Sequence, residues 1–456
     1  MPSLKPWQRC ALLLLVAIAV FFLYFFGLNR TGLLGPDEPR YAAVGRAMSD
    51  SGDWITPRLW GKPWFEKPAL LYWMTALGFK AGLGAEVAPR LPVALASVTF
   101  LVYFFITLRR EFGEAAAFSA ATILATSAGW LAFSRVAVTD LPMSAAFAAS
   151  MLALLTGQPI VSGVLLGVAV LAKGLVPFAL FLPALWFFRS RIRDLALVVG
   201  AAAVIAAPWY VLVTLRNGAP FVEEFFWKHH FARFLSNSLQ HEQPFWFYLP
   251  VLVAGFFPWC PLLLLLFQKP LYRDRRAMFL AVCTVWGLVF FTVSRNKLPG
   301  YLLPLLPALA ALLGIAITEA RHRSAGIIAL LAASAASLWI VPAVQETLPQ
   351  ALLVGISHTA SLLPAAWLLP ALAAAVACAV LEKTGRRALA MAFVSLLMTL
   401  SVVRLVWQTY PELDRTVSAR RLWRTSRESI TCVPPGQRSL RYSMDYYAGR
   451  DLTDCN

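Results

Sequence analysis

A chain of 456 residues that is 59% hydrophobic and only 14% charged, with a mean hydropathy of +0.67, is not a soluble globular domain. Its formal charge of +17 does not make it a nucleic-acid binder, because Lys and Arg fall in short clusters between apolar runs and not on one polar face. Runs of Leu, Ala, Phe and Val of near-bilayer length, without strand-like alternation, predict an all-α polytopic membrane protein and favour helices over a barrel.

In chain order, about thirteen spans are expected, near 10–28, 88–108, 115–134, 139–157, 160–172, 175–188, 195–215, 246–267, 277–294, 299–318, 324–342, 361–381 and 387–407. The two between Ile160 and Phe188 are short. Cys10–Leu28 follows Lys5 and Arg9 without a small-residue cleavage site after it, so it reads as a retained anchor. With the N-terminus inside, the clusters Arg109/Arg110, Arg189/Arg191/Arg193, Arg273/Arg275/Arg276, Arg321/Arg323 and Arg386/Arg387 all fall on the cytoplasmic side. The segments 29–87, 135–140, 216–245, 295–298, 343–360 and the tail from Gln408 then face the exterior. The expected organisation is a transmembrane catalytic unit, 1–407, and a short outer tail, 408–456.

The first outer loop is rich in aromatics (Trp54, Trp60, Trp64, Phe65, Tyr72, Trp73) and should form amphipathic helices lying in the interface. Six cysteines show no CxxC or other metal spacing. Cys10, Cys260, Cys283 and Cys378 lie in or beside apolar runs as expected core fillers; Cys432 and Cys455 lie in the exterior tail and are expected to pair.

The residues suited to chemistry lie in the outer segments. In "GPDEPRYAAVGRAM" (35–48), Asp37 and Glu38 suit the positive start of a helix, and Asp37, Arg40 and Tyr41 share a face. "WFEKPALLYW" supplies Glu66 and Lys67, "SRVAVTDLPM" Asp140, "NSLQHEQPFWFYLP" His241 and Glu242, and "SRNKLPGYLLP" Arg295, Lys297 and Tyr301. Taken singly, each reads equally as a helix cap or a surface pair. Together they bring acids and bases from five segments to one membrane face, where charge is costly unless used. Cations suit a phosphate, carboxylates suit a base or sugar contacts, and aromatics suit a sugar or a lipid. No phosphate-cradling glycine loop is present, and no nucleotide-sugar is expected outside a cell membrane, so an activated sugar there would arrive on a lipid. A transporter is the rival reading, with Lys173 in "VLAKGLV" as the one charge placed away from the rim.

"DEPRYAAVGRAMSDSGDWITPRLWGKPWFEKPALLYW" resembles the first outer loop of the bacterial aminoarabinose transferases of lipid A. These belong to the protein O-mannosyltransferase-like superfamily of polyprenyl-phosphate-dependent glycosyltransferases, of GT-C type. The motif D-E-x-R-Y…G-D-W…P…F-E-K-P-P departs here at Ala69. "QHEQPFWFYLPVLVAGFFPW" and "KLPGYLLPLLPALA" are also similar to that family. The resemblance implies a GT-C fold and an inverting transfer from an undecaprenyl-phosphate sugar. The acceptor would be lipid A, another glycan or a protein, at the periplasmic face of the inner membrane; a protein O-mannosyltransferase is the alternative. It places Asp37 and Asp140 as catalytic carboxylates, and Lys67, Tyr301 and Arg40 at the donor phosphate. Tyr41 and Lys297 would meet substrate. Glu66 and His241 match a pair that holds zinc in the family, although two ligands are too few to predict zinc from spacing. Those relatives carry a larger outer C-terminal domain where this chain has its short tail, which leaves the acceptor open.

Overall fold

The computed structural model describes residues 5–232, 243–320, 323–354, 365–427 and 430–455. Among them, eight helices are long and apolar enough to cross a membrane, and two bent pairs raise this to ten if each pair is one span. Three shorter apolar helices complete the pattern. Among the described residues the expected spans fall largely on helix, but not all are straight or full-length, and 361–364 of the span 361–381 lie outside the described residues.

The helices that position the site can be taken in order. α1 (Pro6–Val20) starts on Pro6, whose fixed φ suits a first turn, and passes through a π-helical turn, Phe21–Phe25. α2 (Asp37–Ser51) ends on Gly52 in the left-handed conformation. A minimal antiparallel hairpin, β1 (Arg58–Leu59) with β2 (Lys62–Pro63), leads to α3 (Leu70–Lys80). α4 (Val87–Phe112) follows, then the pair α5 (Glu114–Thr126) and α6 (Ala128–Ser134), bent by 60°. α7 (Asp140–Leu155) is buried along nearly its whole length and forms the centre of the bundle. α8 (Pro159–Lys173) and α9 (Val176–Phe187) come next. At 15 and 12 residues they extend roughly 22 and 18 Å, short of a bilayer core. α10 (Ile192–Asn217) is full-length.

One expectation changes. The segment 246–267 is not one straight span: Phe245–Gly255 and Cys260–Phe267 meet at 115°. Pro258 and Pro261 in "FFPWCP" cannot continue a helix there, lacking the N–H its ladder needs. The helices of the first outer loop pack closely on one another and on the bundle. From Glu38 to Gly45 every residue of α2 is buried, and Leu71, Tyr72, Thr75 and Ala76 of α3 are buried against it. Gly45 allows this: a Cβ there would lie 2.5 Å from the Thr75 side chain. Trp73 and Trp209 donate to the carbonyls of Trp54 and Ile55 at 2.8 and 3.0 Å, and Arg216 pairs with Asp53 at 2.9 Å. The loop is thus bolted to the bundle. Of the cysteines expected as core fillers, Cys10 is exposed on the apolar flank of α1 and Cys378 is buried.

The tail forms the Cys432–Cys455 disulfide and a small core of Ala419, Val433, Met444 and Leu452. It also leans on the first loop. Asp414 accepts from the backbone N–H of Gly32 at 2.8 Å, Arg420 donates to the carbonyls of Asn29 and Arg30, and Tyr446 donates to that of Ala85 at 2.6 Å. Within the tail, burial pushes the Asp445 carboxyl up to about 6, although it accepts from the N–H of Leu452. The folded tail therefore holds a proton that the unfolded tail has already released, and its stability falls as pH rises from about 4 to 6. Hydrogen-exchange protection over 438–454, taken relative to the intrinsic exchange rate at each pH, should fall across that window in the wild type and not in Asp445→Asn; equal pH dependence of protection in both would remove the assignment.

Candidate functional site

A cavity of about 320 Å³ lies where the ends of several antiparallel helices meet. α7 begins there with Asp140, α8 ends there with Lys173, and α9 begins there with Val176. The helix Arg275–Val293 ends there with Phe290 and Phe291, and the helix Pro299–Glu319 begins there with Tyr301. Asp37 opens α2 onto it, and Glu66 and Lys67 reach it from the loop before α3. At the far ends of these helices lie Arg275 and Arg276, which open the helix Arg275–Val293, and Arg191, in the turn that follows α9. One wall is apolar (Val176, Ala179, Phe290, Leu298) and the other ionic, as a lipid-linked anion requires.

The ionic wall is a chain of short contacts. Arg40 Nη2 lies 2.5 Å from Asp37 Oδ1 and 2.9 Å from Glu66 Oε2. Glu66 Oε1 is 3.4 Å from Lys67 Nζ and accepts from the Tyr41 hydroxyl at 3.4 Å. Lys173 Nζ is 2.5 Å from Asp140 Oδ1 and 4.9 Å from the centre of the Tyr301 ring. Gly300 permits that last cluster, since a Cβ there would lie 2.8 Å from Asp140 Oδ1. Burial works against the Arg40 charge, but Glu66, Tyr41 and Asp37 more than offset it and hold the guanidinium above its usual range. Burial, reinforced by Glu66, pushes the Tyr41 and Tyr72 phenols well up, so both are neutral, and Tyr41 donates to Glu66.

Asp37 and its neighbour Glu38 have opposite roles. The Asp37 side chain is 48% exposed toward the cavity; that of Glu38 is 0% exposed. Glu38 Oε1 accepts from Arg90 Nε at 2.7 Å and the N–H of Ala137 at 3.0 Å. Its Oε2 accepts from Arg90 Nη2 at 2.7 Å and the N–H of Leu34 at 2.8 Å. Arg90 spends its other donors on the carbonyls of Leu28, Thr31 and Gly32. This buried pair ties the start of α2 to α4 and to the strand of chain before α7, and so sets where Asp37 stands.

Of the residues singled out in the sequence, Asp37, Tyr41, Glu66, Lys67, Asp140 and Tyr301 all line the one cavity. Arg40, expected at the donor phosphate, is buried behind the carboxylates and holds them in place. Lys297, expected at substrate, is buried, and its neighbours Ser294 and Asn296 form the wall instead. His241 lies outside the described residues. Lys173, the residue that favoured a transporter, is part of the ionic wall; a lysine ending an apolar helix before Gly174 was its only signal. His229 also lines the cavity and had been passed over. Of the pair matched to a metal, Glu66 is engaged by Arg40, Lys67 and Tyr41, and His241 lies outside the described residues, among which no cluster of three or more His, Cys, Asp or Glu forms.

Residues 66–212 match the family model of dolichyl-phosphate-mannose-protein mannosyltransferases. An undecaprenyl phosphate-alpha-4-amino-4-deoxy-L-arabinose arabinosyl transferase of Pseudomonas aeruginosa (strain UCBPP-PA14) is 35% identical over 336 residues, 67% of this chain but 59% of that relative's own length. The chain is also similar to ArnT from Cupriavidus metallidurans. The crystal structure bound to undecaprenyl phosphate matches with a TM-score of 0.76 at 28% identity, over 97% of this chain and 85% of the other. The apo structure matches with a TM-score of 0.80 at 28% identity, over 98% and 85%.

Proposed function

We propose, from the premise that this chain belongs to the superfamily of polyprenyl-phosphate-dependent GT-C glycosyltransferases that includes the aminoarabinose transferases of lipid A, that it is an inverting membrane glycosyltransferase. Its donor is a sugar on undecaprenyl phosphate, aminoarabinose by likeness to its relatives, and its acceptor is lipid A or a related envelope glycolipid. The observation that carries this reading is the meeting of Asp37, Asp140, Lys67 and Lys173, from four separate segments, on one cavity with an apolar wall.

In the proposed step an acceptor oxygen attacks the anomeric carbon. The bond from that carbon to the phosphate oxygen breaks with its electron pair, and the lipid phosphate leaves with configuration inverted. Lys67 and Lys173 stabilise the charge gathering on the phosphate, and Tyr301 lies beside Lys173 to orient it. Arg40 and Glu66 fix Asp37 and Lys67 relative to one another. Asp37 is the more open carboxylate, 48% exposed against 18% for Asp140. It orients an anionic acceptor such as a phosphate, or takes the proton when the acceptor is a hydroxyl. Mass spectrometry of envelope lipids from a deletion strain tests the reading: loss of one sugar from one glycolipid supports it, and an unchanged lipid profile with a changed glycoprotein would favour the protein mannosyltransferase alternative.

Two expected outcomes follow from this site. Lys67→Ala should lower turnover of the lipid-linked donor by about a hundredfold, because a cation at the leaving group is lost while Glu66 keeps Arg40. Lys62→Ala, in the exposed hairpin, should leave donor turnover near wild type. Equal turnover in all three proteins would reject the role of Lys67. The orientation we propose has the cavity and the tail periplasmic and the arginine-bearing helix ends cytoplasmic, in the inner membrane. A C-terminal alkaline phosphatase fusion should be active; an active cytoplasmic reporter at that position would invert the topology.

A further inference from the structure

The tail does more than cap the first loop. The Arg40 guanidinium, the group that holds Asp37 and Glu66, lies among three aromatic rings: 5.3 Å from the centre of Tyr41, 5.4 Å from Trp64 and 5.1 Å from Tyr442. Two of these belong to the first loop. Tyr442 belongs to the tail helix Arg438–Ala448, some four hundred positions away in the chain. That helix is held in place on both sides. Tyr446 donates to the Ala85 carbonyl and receives the Arg46 side chain at 2.9 Å; Tyr447 accepts from the N–H of Leu33 at 3.0 Å and donates to Glu86 at 3.3 Å. The Cys432–Cys455 disulfide closes the module that carries the helix.

We propose that Tyr442 is a positioning residue for the transfer site, its ring holding Arg40 against Asp37 and Glu66, so that the outer tail completes the site. A cation beside an aromatic face in a water-poor setting is bound appreciably. Arg40 is 2% exposed, so a ring removed from its surroundings is replaced by water or by a side chain with no affinity for the charge. Arg40 then gains freedom, and Asp37, with which it is in contact at 2.5 Å, loses its fixed orientation. The role is assigned to the ring, which lies 5.1 Å from the guanidinium, and not to the hydroxyl.

The inference rests on the proposed transfer reaction for its kinetic arm but not for its chemical one. The full-length protein in nanodiscs is treated with phenylglyoxal, and modification of Arg40 is followed by peptide mass spectrometry. Wild type and Tyr442→Phe should protect Arg40 equally, while Tyr442→Leu and Tyr442→Met should modify it several times faster. With an undecaprenyl-phosphate sugar as donor, the two ring-less variants should lose about tenfold in turnover with the donor KM unchanged. Tyr442→Phe should behave as wild type. Unchanged Arg40 reactivity in the ring-less variants overturns the proposal, as does a Phe variant as impaired as Leu. Failure of both ring-less variants to fold, with Phe folding normally, would show a packing role only and also overturn it. A wild type inactive on the lipid-linked sugar would instead count against the functional reading, with Arg40 reactivity still deciding this one.

Discussion

Asp37→Asn should insert and fold normally and lose at least about a hundredfold in turnover, the usual lower bound for a positioned base. Folding is spared because the buried Arg40, which pairs with both Asp37 and Glu66, keeps one carboxylate when Asp37 loses its charge. Arg40 retains Glu66 at 2.9 Å, and the Asp37 side chain is half exposed in the cavity. Asn keeps the size of Asp, and α2 has Pro36 at its N-cap with no side-chain capping bond to lose, so α2 still starts where it does. What disappears is the negative charge that aligns the acceptor or takes its proton. Turnover of a lipid-linked sugar by purified variants, alongside their thermal unfolding, separates the two effects. Near-wild-type transfer in Asp37→Asn together with a dead Asp140→Asn would move the assignment to Asp140, leaving Asp37 a helix cap.

Glu38→Gln should have the opposite profile: a large loss of stability. Each Glu38 oxygen accepts two hydrogen bonds, one from Arg90 and one from a backbone N–H. An amide nitrogen in either position faces two donors and offers no lone pair. The Arg90 guanidinium, 3% exposed, is left without its counter-charge. Breaking a buried pair from one side costs about 3–5 kcal/mol, a large part of the roughly 5–15 kcal/mol that holds a folded domain. Thermal unfolding in detergent should show a marked drop for Glu38→Gln and little change for Asp37→Asn. A Glu38→Gln protein as stable as wild type but inactive would place Glu38, not Asp37, in the chemistry.

That contrast shows how far the sequence could be read. Asp37 and Glu38 point about 100° apart on a helix, which is legible from spacing and separates one as the functional carboxylate. What Glu38 does instead is not legible, because its partner Arg90 lies on α4, within a run that reads simply as a span. The spans were visible because bilayer thickness fixes run length, and the site was visible because charges at helix ends on one face are rare unless used. Interiors of runs were less informative: Lys173 looked like a turn marker or a transport residue until Asp140 was found 2.5 Å away. Arg40 was assigned to the phosphate from its motif, yet burial among Tyr41, Trp64 and Tyr442 gives it a supporting position. No local signal in "RYSMDYYAG" tells that the tail packs against the first loop, since that contact joins the two ends of the chain.

The most direct measurement is transfer by the purified protein in nanodiscs, supplied with undecaprenyl-phosphate aminoarabinose and lipid A, with the product weighed by mass spectrometry. The wild type should add one aminoarabinose to lipid A, release undecaprenyl phosphate, and lose this activity in Asp37→Asn. Intact donor and unmodified lipid A after incubation with folded wild-type protein, or product formed equally by Asp37→Asn, would contradict the account.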